Sequence, residues 1–412
     1  MPPIVGAQHA APLFFNPILD IMLSIFLKPG RERPVLHGHP WIFSGAVERV
    51  DGDGKSPELV DVYDHNKIWL ARGFYNPKSQ IRARLLTWRK EEIDAGFFAR
   101  RLSHAFAFRR AYLPPSTTAY RIINGEGDFF PGLIIDRYDG FIVCQVFSAG
   151  MALFKNHIVD YLSKIDGIEG VFERSEGRIG DEEGLEPSVG VMSGEAPPDV
   201  IPIQENTFKF LVDVRRGQKT GFFLDQRDNR AFLCTIARQK TVLNCFAYSG
   251  AFSVYAYGGG AREVVTLDSS LPALELAEKS LELNGFANSP GEILKGDAFA
   301  YLKEIERKFD LIVLDPPSLA HRRSDSATAA GGYKFLNLHA LKHLAAGGLL
   351  LTFSCSQHVP LELFQKIVFG AAVDAGRKVA LIKRLGQPLD HPVSLHHPEG
   401  EYLKGLALRA LD

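Results

Sequence analysis

The chain has few cysteines, and none is arranged in the way that marks a disulfide framework or a structural zinc site. Four occur in 412 residues, too few to crosslink so long a chain. No two of them are spaced as Cys-x-x-Cys. We therefore expect a protein of the reducing cytoplasm that binds no metal.

The sequence also lacks a long uninterrupted apolar run. An apolar stretch at residues 11–27 is broken by Asn16, Pro17 and Asp20. No basic segment precedes it and no small-residue cleavage site follows. We interpret it as neither a membrane span nor a signal peptide, and expect no membrane partner. Residues 1–23 are predicted to be a disordered leader.

The net charge of −1 conceals an uneven distribution. Hydrophobic residues make up 46% of the chain and charged residues 23%, which is typical of a globular protein, and the length implies two or three domains. Between Lys28 and Arg121, 17 basic residues stand against 10 acidic ones. This asymmetry indicates a polyanion-binding part joined to a catalytic part.

Three regions follow from the local patterns. Residues 24–91 contain short strands separated by turn residues, which predicts a small β-barrel. Residues 92–200 are predicted to form a central α+β linker domain, introduced by a helix over residues 91–113 that Pro114 and Pro115 end. From residue 201 to 412 strands and helices alternate, which predicts an α/β fold with a doubly wound parallel sheet.

The first strand of this last region leads into a turn without the usual phosphate-binding signatures. Residues 244–250 contain one glycine where a dinucleotide site has Gly-x-Gly-x-x-Gly, and no Walker-type lysine follows. A cofactor without phosphates, such as S-adenosylmethionine, needs only the turn. The candidate cofactor contacts in it are Asn244, Phe246, Tyr248, Ser249 and Gly250.

Three acidic residues then end successive strands. Asp268 is expected to accept the ribose hydroxyls, Asp297 the adenine amino protons, and Asp315 lies at the start of an Asp-Pro-Pro motif. Taken singly, Asp268 and Asp297 could instead be helix caps. Three acids in order after a glycine turn favour the cofactor site.

A second strand ends in Ser-Cys-Ser at residues 354–356. Because the carboxyl ends of parallel strands meet at one edge, Cys355 and Asp315 are predicted to lie together. A thiolate that adds to carbon 6 of a pyrimidine makes carbon 5 nucleophilic enough to accept a methyl group, while an acid holds the ring nitrogen edge. Such a thiol must be largely ionised, which requires an exposed site with positive neighbours. Nitrogen methyltransferases commonly follow the acid and Pro-Pro with an aromatic residue that stacks on the planar amine. Here the next residue is Ser318, which favours carbon methylation.

These motifs, in order, resemble the PUA-domain-bearing 23S rRNA 5-methylcytosine methyltransferases, the RlmI family. The resemblance covers residue 25 to the end and rests on residues 39–46, 132–138, 220–227, 244–250, 315–317, 354–356 and 399–405. It implies S-adenosylmethionine as donor, cytosine in large-subunit ribosomal RNA as acceptor, Cys355 as nucleophile, a PUA-like RNA-binding barrel and a homodimer. It adds Phe222, Asp225, Gln226 and Pro316 to the cofactor site.

Seven arginines in the basic part are candidates for phosphate contacts, which position RNA without reading its sequence. They are Arg82, Arg84, Arg89, Arg100, Arg101, Arg109 and Arg110. Two other functions remain open at this point: nitrogen methylation of guanine in ribosomal RNA on the same scaffold, and a non-catalytic RNA-binding assembly factor.

Overall fold

The protein is described from a computed structural model over residues 22–176, 182–320 and 325–412. The predicted leader lies outside these ranges except for its last two residues, of which Leu23 begins the first strand. Within them, no helix is both long enough and apolar enough to cross a lipid bilayer.

The N-terminal region forms a six-stranded sheet in the order β2-β6-β5-β4-β1-β3. Its strands are β1 (Leu23–Leu27), β2 (Trp41–Phe43), β3 (Val47–Asp51), β4 (Glu58–Tyr63), β5 (Trp69–Tyr75) and β6 (Ile81–Thr87), with a short helix α1 (Arg33–Leu36). Alternate residues such as Val60 and Val62 are fully buried, because successive side chains of a strand point to opposite faces. The sequence pattern did not indicate β2 and β3.

The central region contains a five-stranded sheet, in the order β11-β10-β9-β8-β7, and three helices that lie wholly within the described residues. Its strands are β7 (Ala119–Asn124), β8 (Leu133–Tyr138), β9 (Phe141–Val146), β10 (Gly170–Ser175) and β11 (Ser188–Gly194), and its helices are α2 (Ala95–Tyr112), α3 (Ala149–Leu153) and α4 (Lys155–Leu162). Helix α2 begins four residues later than predicted, because Asp94 is its N-cap and accepts a hydrogen bond from Phe97 N at 2.7 Å. A hairpin, β12 (Ile201–Glu205) and β13 (Phe208–Val212), follows.

The C-terminal region is a seven-stranded sheet in the order β16-β15-β14-β17-β18-β20-β19. Its strands are β14 (Thr241–Cys245), β15 (Glu263–Asp268), β16 (Gly291–Lys295), β17 (Phe309–Leu314), β18 (Leu344–Ser354), β19 (Val379–Leu385) and β20 (Lys404–Ala410). The helices are α5 (Arg227–Ile236), α6 (Ala251–Gly258), α7 (Leu271–Leu283), α8 (Ala298–Glu304), α9 (Ser326–Lys342) and α10 (Leu361–Asp374).

The predicted doubly wound parallel sheet is present, but it contains one strand, β20, that the sequence pattern did not indicate. Strand β20 inserts between β18 and β19 and runs antiparallel to both. Strands β14 to β18 are parallel to one another, as the alternating pattern indicated. The last strand follows a Pro-rich connection rather than a crossover helix, so it returns in the opposite direction.

Hydrogen bonds between buried ion pairs join the central region to the C-terminal one. Arg121 donates to Asp136 at 2.7 Å through Nε, and Thr220 donates to the other oxygen of Asp136 at 2.6 Å. Asp390 accepts from the backbone N–H of Arg121 at 2.9 Å and from the Arg227 guanidinium at 3.0 Å. These bonds fix the segment that begins at Thr220 against both regions.

Candidate active site

The carboxyl ends of β14, β17 and β18 lie side by side. Cys245 is paired with Leu314, and Leu314 is paired with Thr352. Asp315 follows the end of β17 directly and Cys355 follows the end of β18. The Cys355 thiol lies 4.0 Å from the carbonyl oxygen of Pro316. The structure therefore brings together the acid and the thiol that the sequence placed at one rim.

Asp315 sits in an environment that favours its protonated form. Burial raises the pKa of this carboxyl to about 7, and the nearby Asp225 charge acts in the same direction. Lys219 and a hydrogen bond from the Gln226 side chain oppose the rise in pKa. A carboxyl with this pKa can donate a proton and take it back near neutral pH.

Cys355 departs from the expected ionised thiol. Burial raises its pKa to about 11, so the thiol is protonated at neutral pH. Lys219 lowers the pKa, Asp315 and Asp225 raise it, and Lys404 lowers it. The thiol thus has positive neighbours but is half-buried rather than exposed, and desolvation outweighs those neighbours.

Two lysines near the thiol, Lys404 and Lys219, were not predicted as site residues. Lys404 is buried on β20, opposite Ser354, and its ammonium donates to the carbonyl oxygens of Ser356 at 2.6 Å and Tyr402 at 2.8 Å. Burial lowers the pKa of Lys404 to about 8. Lys219 forms an ion pair with Asp225. Lys404 belongs to residues 399–405, one of the segments on which the family resemblance rests. No local pattern links it or Lys219 to the thiol, because each approaches Cys355 from a distant part of the chain.

The segment at residues 220–227 lies next to these groups. The Asp225 carboxylate is buried, and the hydroxyl of Tyr402 donates to one of its oxygens at 2.8 Å. Its pKa is lowered because Lys219 and other nearby groups outweigh the effect of burial. Gln226 is held by Asn229 at 2.6 Å. Phe222 is 2% exposed and packs under the Arg230 guanidinium at 4.8 Å, which is a core position rather than a ligand-facing one.

The turn after β14 holds an unusual backbone conformation. Phe246 and Tyr248 have φ values of +60° and +47°, and Gly250 has a φ of +71°. Left-handed conformation in aromatic residues is rare and is found mainly at functional sites. A Cβ on Gly250 would lie 2.6 Å from the Cβ of Ala277 on α7, so only glycine lets the two helices approach this closely.

Hydrogen bonds tie this turn to its neighbours. The Tyr248 backbone N–H donates to Asp268 at 2.7 Å, and the Tyr248 hydroxyl donates to the carbonyl of Gly221 at 3.1 Å. Asp268 also accepts from the Ser270 N–H at 2.9 Å. Each carboxylate oxygen can accept a further bond, so Asp268 both shapes the turn and retains acceptor capacity for a ligand.

Two other predicted cofactor contacts, Asp297 and Asn244, form hydrogen bonds within the protein. Asp297 is exposed and caps α8, accepting a hydrogen bond from the Ala300 N–H at 2.8 Å. This is the helix-cap role that the sequence also allowed. Asn244 is buried and donates to Ser253 at 2.9 Å. Among the described residues, one side-chain oxygen of Asn244, one of Asp225 and the hydroxyl of Ser249 are buried without a hydrogen-bond partner.

The seven arginines divide into distinct environments. Arg89, Arg100 and Arg110 are exposed, while Arg82 and Arg101 are half-buried with their guanidinium groups on backbone carbonyls. The prediction for Arg84 and Arg109 does not fit the structure. Arg84 pairs with Glu183 at 2.8 Å and Arg109 with Asp128 at 2.6 Å, and both arginines are buried. A buried, paired guanidinium is not available to a phosphate.

Family models match two parts of the chain: a PUA-like domain over residues 25–88 and an S-adenosylmethionine-dependent methyltransferase over residues 185–393. The chain is similar along nearly its whole length to the ribosomal RNA large subunit methyltransferase I of two bacteria. The Aeromonas hydrophila protein is 46% identical over 393 residues, and the Vibrio vulnificus CMCP6 protein 44% identical over 394 residues. Each alignment covers 94% of this chain and 99% of the relative.

Solved structures support the same fold. A putative methyltransferase complexed with SAH aligns with a TM-score of 0.81 and 24% identity over 94% of this chain and 100% of that chain. A putative SAM-dependent methyltransferase from Streptococcus mutans aligns with a TM-score of 0.79 and 23% identity over the same shares. At these identities the likeness concerns the fold, which is an N-terminal PUA-like domain followed by a class I methyltransferase domain.

Proposed function

This chain belongs to the ribosomal RNA large subunit methyltransferase I family and is an S-adenosylmethionine-dependent methyltransferase, and from that premise we propose that it methylates carbon 5 of a cytosine in 23S rRNA. The observation that carries the proposal is the contact of the Cys355 thiol with the Asp-Pro-Pro motif, at 4.0 Å from Pro316 O. A nitrogen methyltransferase has no use for a thiol at this position, whereas carbon methylation of a pyrimidine requires one.

The residues at the rim fit S-adenosylmethionine. The unpartnered oxygen of Asp225 is a buried acceptor for the ammonium group of the methionine part, and the Ser249 hydroxyl is a second buried polar group without a partner. Asp268 keeps acceptor capacity for ribose hydroxyls. We propose that Asp225, Gln226, Phe246, Tyr248, Ser249, Gly250, Asp268, Asp315 and Pro316 line the cofactor site, with Phe222 and Asn244 supporting it from behind and Asp297 at its exposed edge.

The proposed chemistry begins at the thiol. The Cys355 thiol first loses its proton to solvent. The thiolate then forms a bond to carbon 6 of the cytosine, the ring electrons shift toward nitrogen 3, and protonated Asp315 donates a proton there and becomes a carboxylate. Carbon 5 becomes an enamine carbon. S-adenosylmethionine, when bound, supplies the electrophilic methyl group that carbon 5 takes up. Carbon 5 then gives its proton to solvent water, the thiolate leaves carbon 6, and nitrogen 3 returns its proton to the Asp315 carboxylate, which restores the aromatic ring and the free enzyme.

The electrostatics of the site suit this sequence of steps. The thiol is protonated in the free protein because burial raises its pKa to about 11, so the nucleophile must be ionised at the moment of attack. Lys219 and Lys404 provide positive charge that stabilises the thiolate. With a pKa of about 7, Asp315 is partly protonated at neutral pH and can serve as the acid.

We also propose a division of labour among the regions. Residues 24–91 bind RNA as a PUA-like barrel, residues 92–200 link and orient, and residues 201–412 carry out methyl transfer. The exposed arginines Arg89, Arg100 and Arg110 are the proposed phosphate contacts. The proposed location is the cytoplasm, with large-subunit rRNA as the partner and a homodimer as the working form.

The test is methyl transfer from labelled S-adenosylmethionine to 23S rRNA by the wild type, Cys355→Ala and the control Cys234→Ala. Cys234 is half-buried on α5 and lies outside the proposed site. We expect loss of transfer in Cys355→Ala alone, together with bisulfite-resistant cytosine in the wild-type product. Undiminished transfer by Cys355→Ala, or label on guanine nitrogen, would refute the proposal.

A further inference from the structure

A groove runs along the junction of the three regions, away from the Cys355 rim. One wall is the segment after β6, with Trp88 and Arg89, and the other is one face of helix α2. The 3-10 turn at Gly125–Asp128 and the following Phe129 close one side, and Pro392 from the C-terminal region borders it. No residue proposed for the cofactor site lines this groove.

The groove carries an excess of positive charge. Arg89, Arg100 and Arg101 line it together with the exposed His104. Two acidic residues, Glu91 and Asp128, also line the groove, and Glu91 pairs with Arg100 at 3.4 Å. A further pair in the lining, Arg109 with Asp128, neutralises itself through two bonds of 2.6 Å. The balance therefore favours a polyanion.

Two phenylalanines expose their rings in the same groove. Phe108 is 38% exposed and Phe129 is 42% exposed. Phe129 also has a φ of +61°, a conformation that bulky residues rarely adopt and that must be held by its surroundings. The Arg101 guanidinium donates to the Phe129 carbonyl at 3.0 Å, so a groove arginine holds the backbone that presents the ring to solvent.

We propose that this groove binds an unpaired segment of the RNA substrate, with bases stacked on Phe108 and Phe129 and the backbone neutralised by Arg89 and Arg100. Aromatic rings beside cations are the arrangement by which proteins bind single strands without reading sequence, since every base has a flat face. A base pair within a duplex has no free face to offer these rings, so the proposal is specific for unpaired RNA. This inference rests on the proposed function in taking RNA as the substrate.

The experiment measures binding by the full-length protein to a labelled unstructured RNA oligonucleotide, with a duplex of the same length as the second probe. The test variants are Phe108→Ala, Phe129→Ala and Arg100→Gln. The matched controls are Phe369→Ala and Arg238→Gln, which alter exposed residues of the C-terminal region. Calorimetry with S-adenosylhomocysteine reports whether each variant keeps its fold.

Each phenylalanine variant is expected to bind the single strand about fivefold or more weakly, with unchanged cofactor affinity. Arg100→Gln should weaken binding and reduce the slope of log affinity against log salt by about 0.7, the value for one lost phosphate contact. Unchanged single-strand affinity in both phenylalanine variants would overturn the proposal, as would an equal loss in Phe369→Ala or an equal loss on the duplex.

This comparison is independent of the chemistry at the rim. If the enzyme modifies another base, or if Cys355→Ala retains activity, the binding difference between Phe108→Ala and Phe369→Ala is still measured. Conversely, loss of activity in Cys355→Ala with unaltered binding in Phe108→Ala would support the thiol mechanism and reject the groove.

Discussion

Replacing Lys219 by methionine should make the Cys355 thiol harder to ionise. Burial raises the pKa of this thiol to about 11, and Lys219 is the strongest of the charges that lower it. Lys219 also pairs with Asp225. The substitution therefore removes a cation from the thiolate and leaves an unpaired anion nearby, and both changes raise the thiol pKa.

The expected magnitude follows from the size of such interactions. An opposite charge close to an ionisable group typically shifts its pKa by about one unit or more. Below pH 11 the thiol of Cys355 is mostly protonated, so the thiolate fraction falls about tenfold for each unit by which the pKa rises. The rate of alkylation at a fixed pH should fall by about the same factor, since the thiolate is the reacting species.

The assay is alkylation by iodoacetamide, followed by mass spectrometry of each cysteine-containing peptide. Cys234 is the internal control, because burial is the influence that raises its pKa and its rate should not change. The double variant Lys219→Met/Asp225→Asn removes both charges and should recover part of the lost reactivity. The reasoning is refuted if Lys219→Met leaves Cys355 as reactive as before, or if Cys234 slows equally.

Three other outcomes are expected. The single-turnover rate of methyl transfer should rise with pH up to about 7 and then level off, because deprotonation of Asp315 offsets the gain in thiolate. The Asp315→Asn variant should be slower, and its rate should show no change of slope near pH 7. Gly250→Ala and Gly376→Ala both place a side chain at positive φ, but Gly376 has open space around it. Gly250→Ala should therefore lower the free energy of unfolding by about 1–3 kcal/mol more than Gly376→Ala does. The difference should be measurable as a lower melting temperature and weaker cofactor binding. Glu205→Gln leaves the buried Arg230 without its anionic partner and should destabilise the protein by about 3–5 kcal/mol in urea unfolding; a loss within error of zero would contradict that estimate.

The resemblance to a known family and the residue patterns together predicted the fold of the C-terminal region and the closeness of Asp315 and Cys355. Asp315 and Cys355 each end a short apolar run, and the rule that parallel strands end at one edge was enough to place them together. The glycine turn could also be predicted from the sequence, because Gly250 lies at a strand-to-helix junction. These are local signals: each depends on residues adjacent in the chain.

The charge state and solvent exposure of individual side chains could not be predicted from such local signals. The same residue type gave buried, paired Arg84 and exposed Arg89 five positions later, because the partner of Arg84 is Glu183. The expected thiolate at Cys355 likewise proved to be a half-buried thiol with a raised pKa.

The sequence by itself determined the alternation of strands and helices in the C-terminal region, the acid and thiol at the sheet edge, and the glycine turn after the first strand of that region. Tertiary structure alone decided the antiparallel direction of β20, the approach of Lys219 and Lys404 to the thiol, and the placement of Phe108 and Phe129 in one groove. The physical reason is the range of the interactions. Strand and turn preferences act between neighbouring residues, whereas desolvation and Coulomb attraction depend on which distant segments fold against each other.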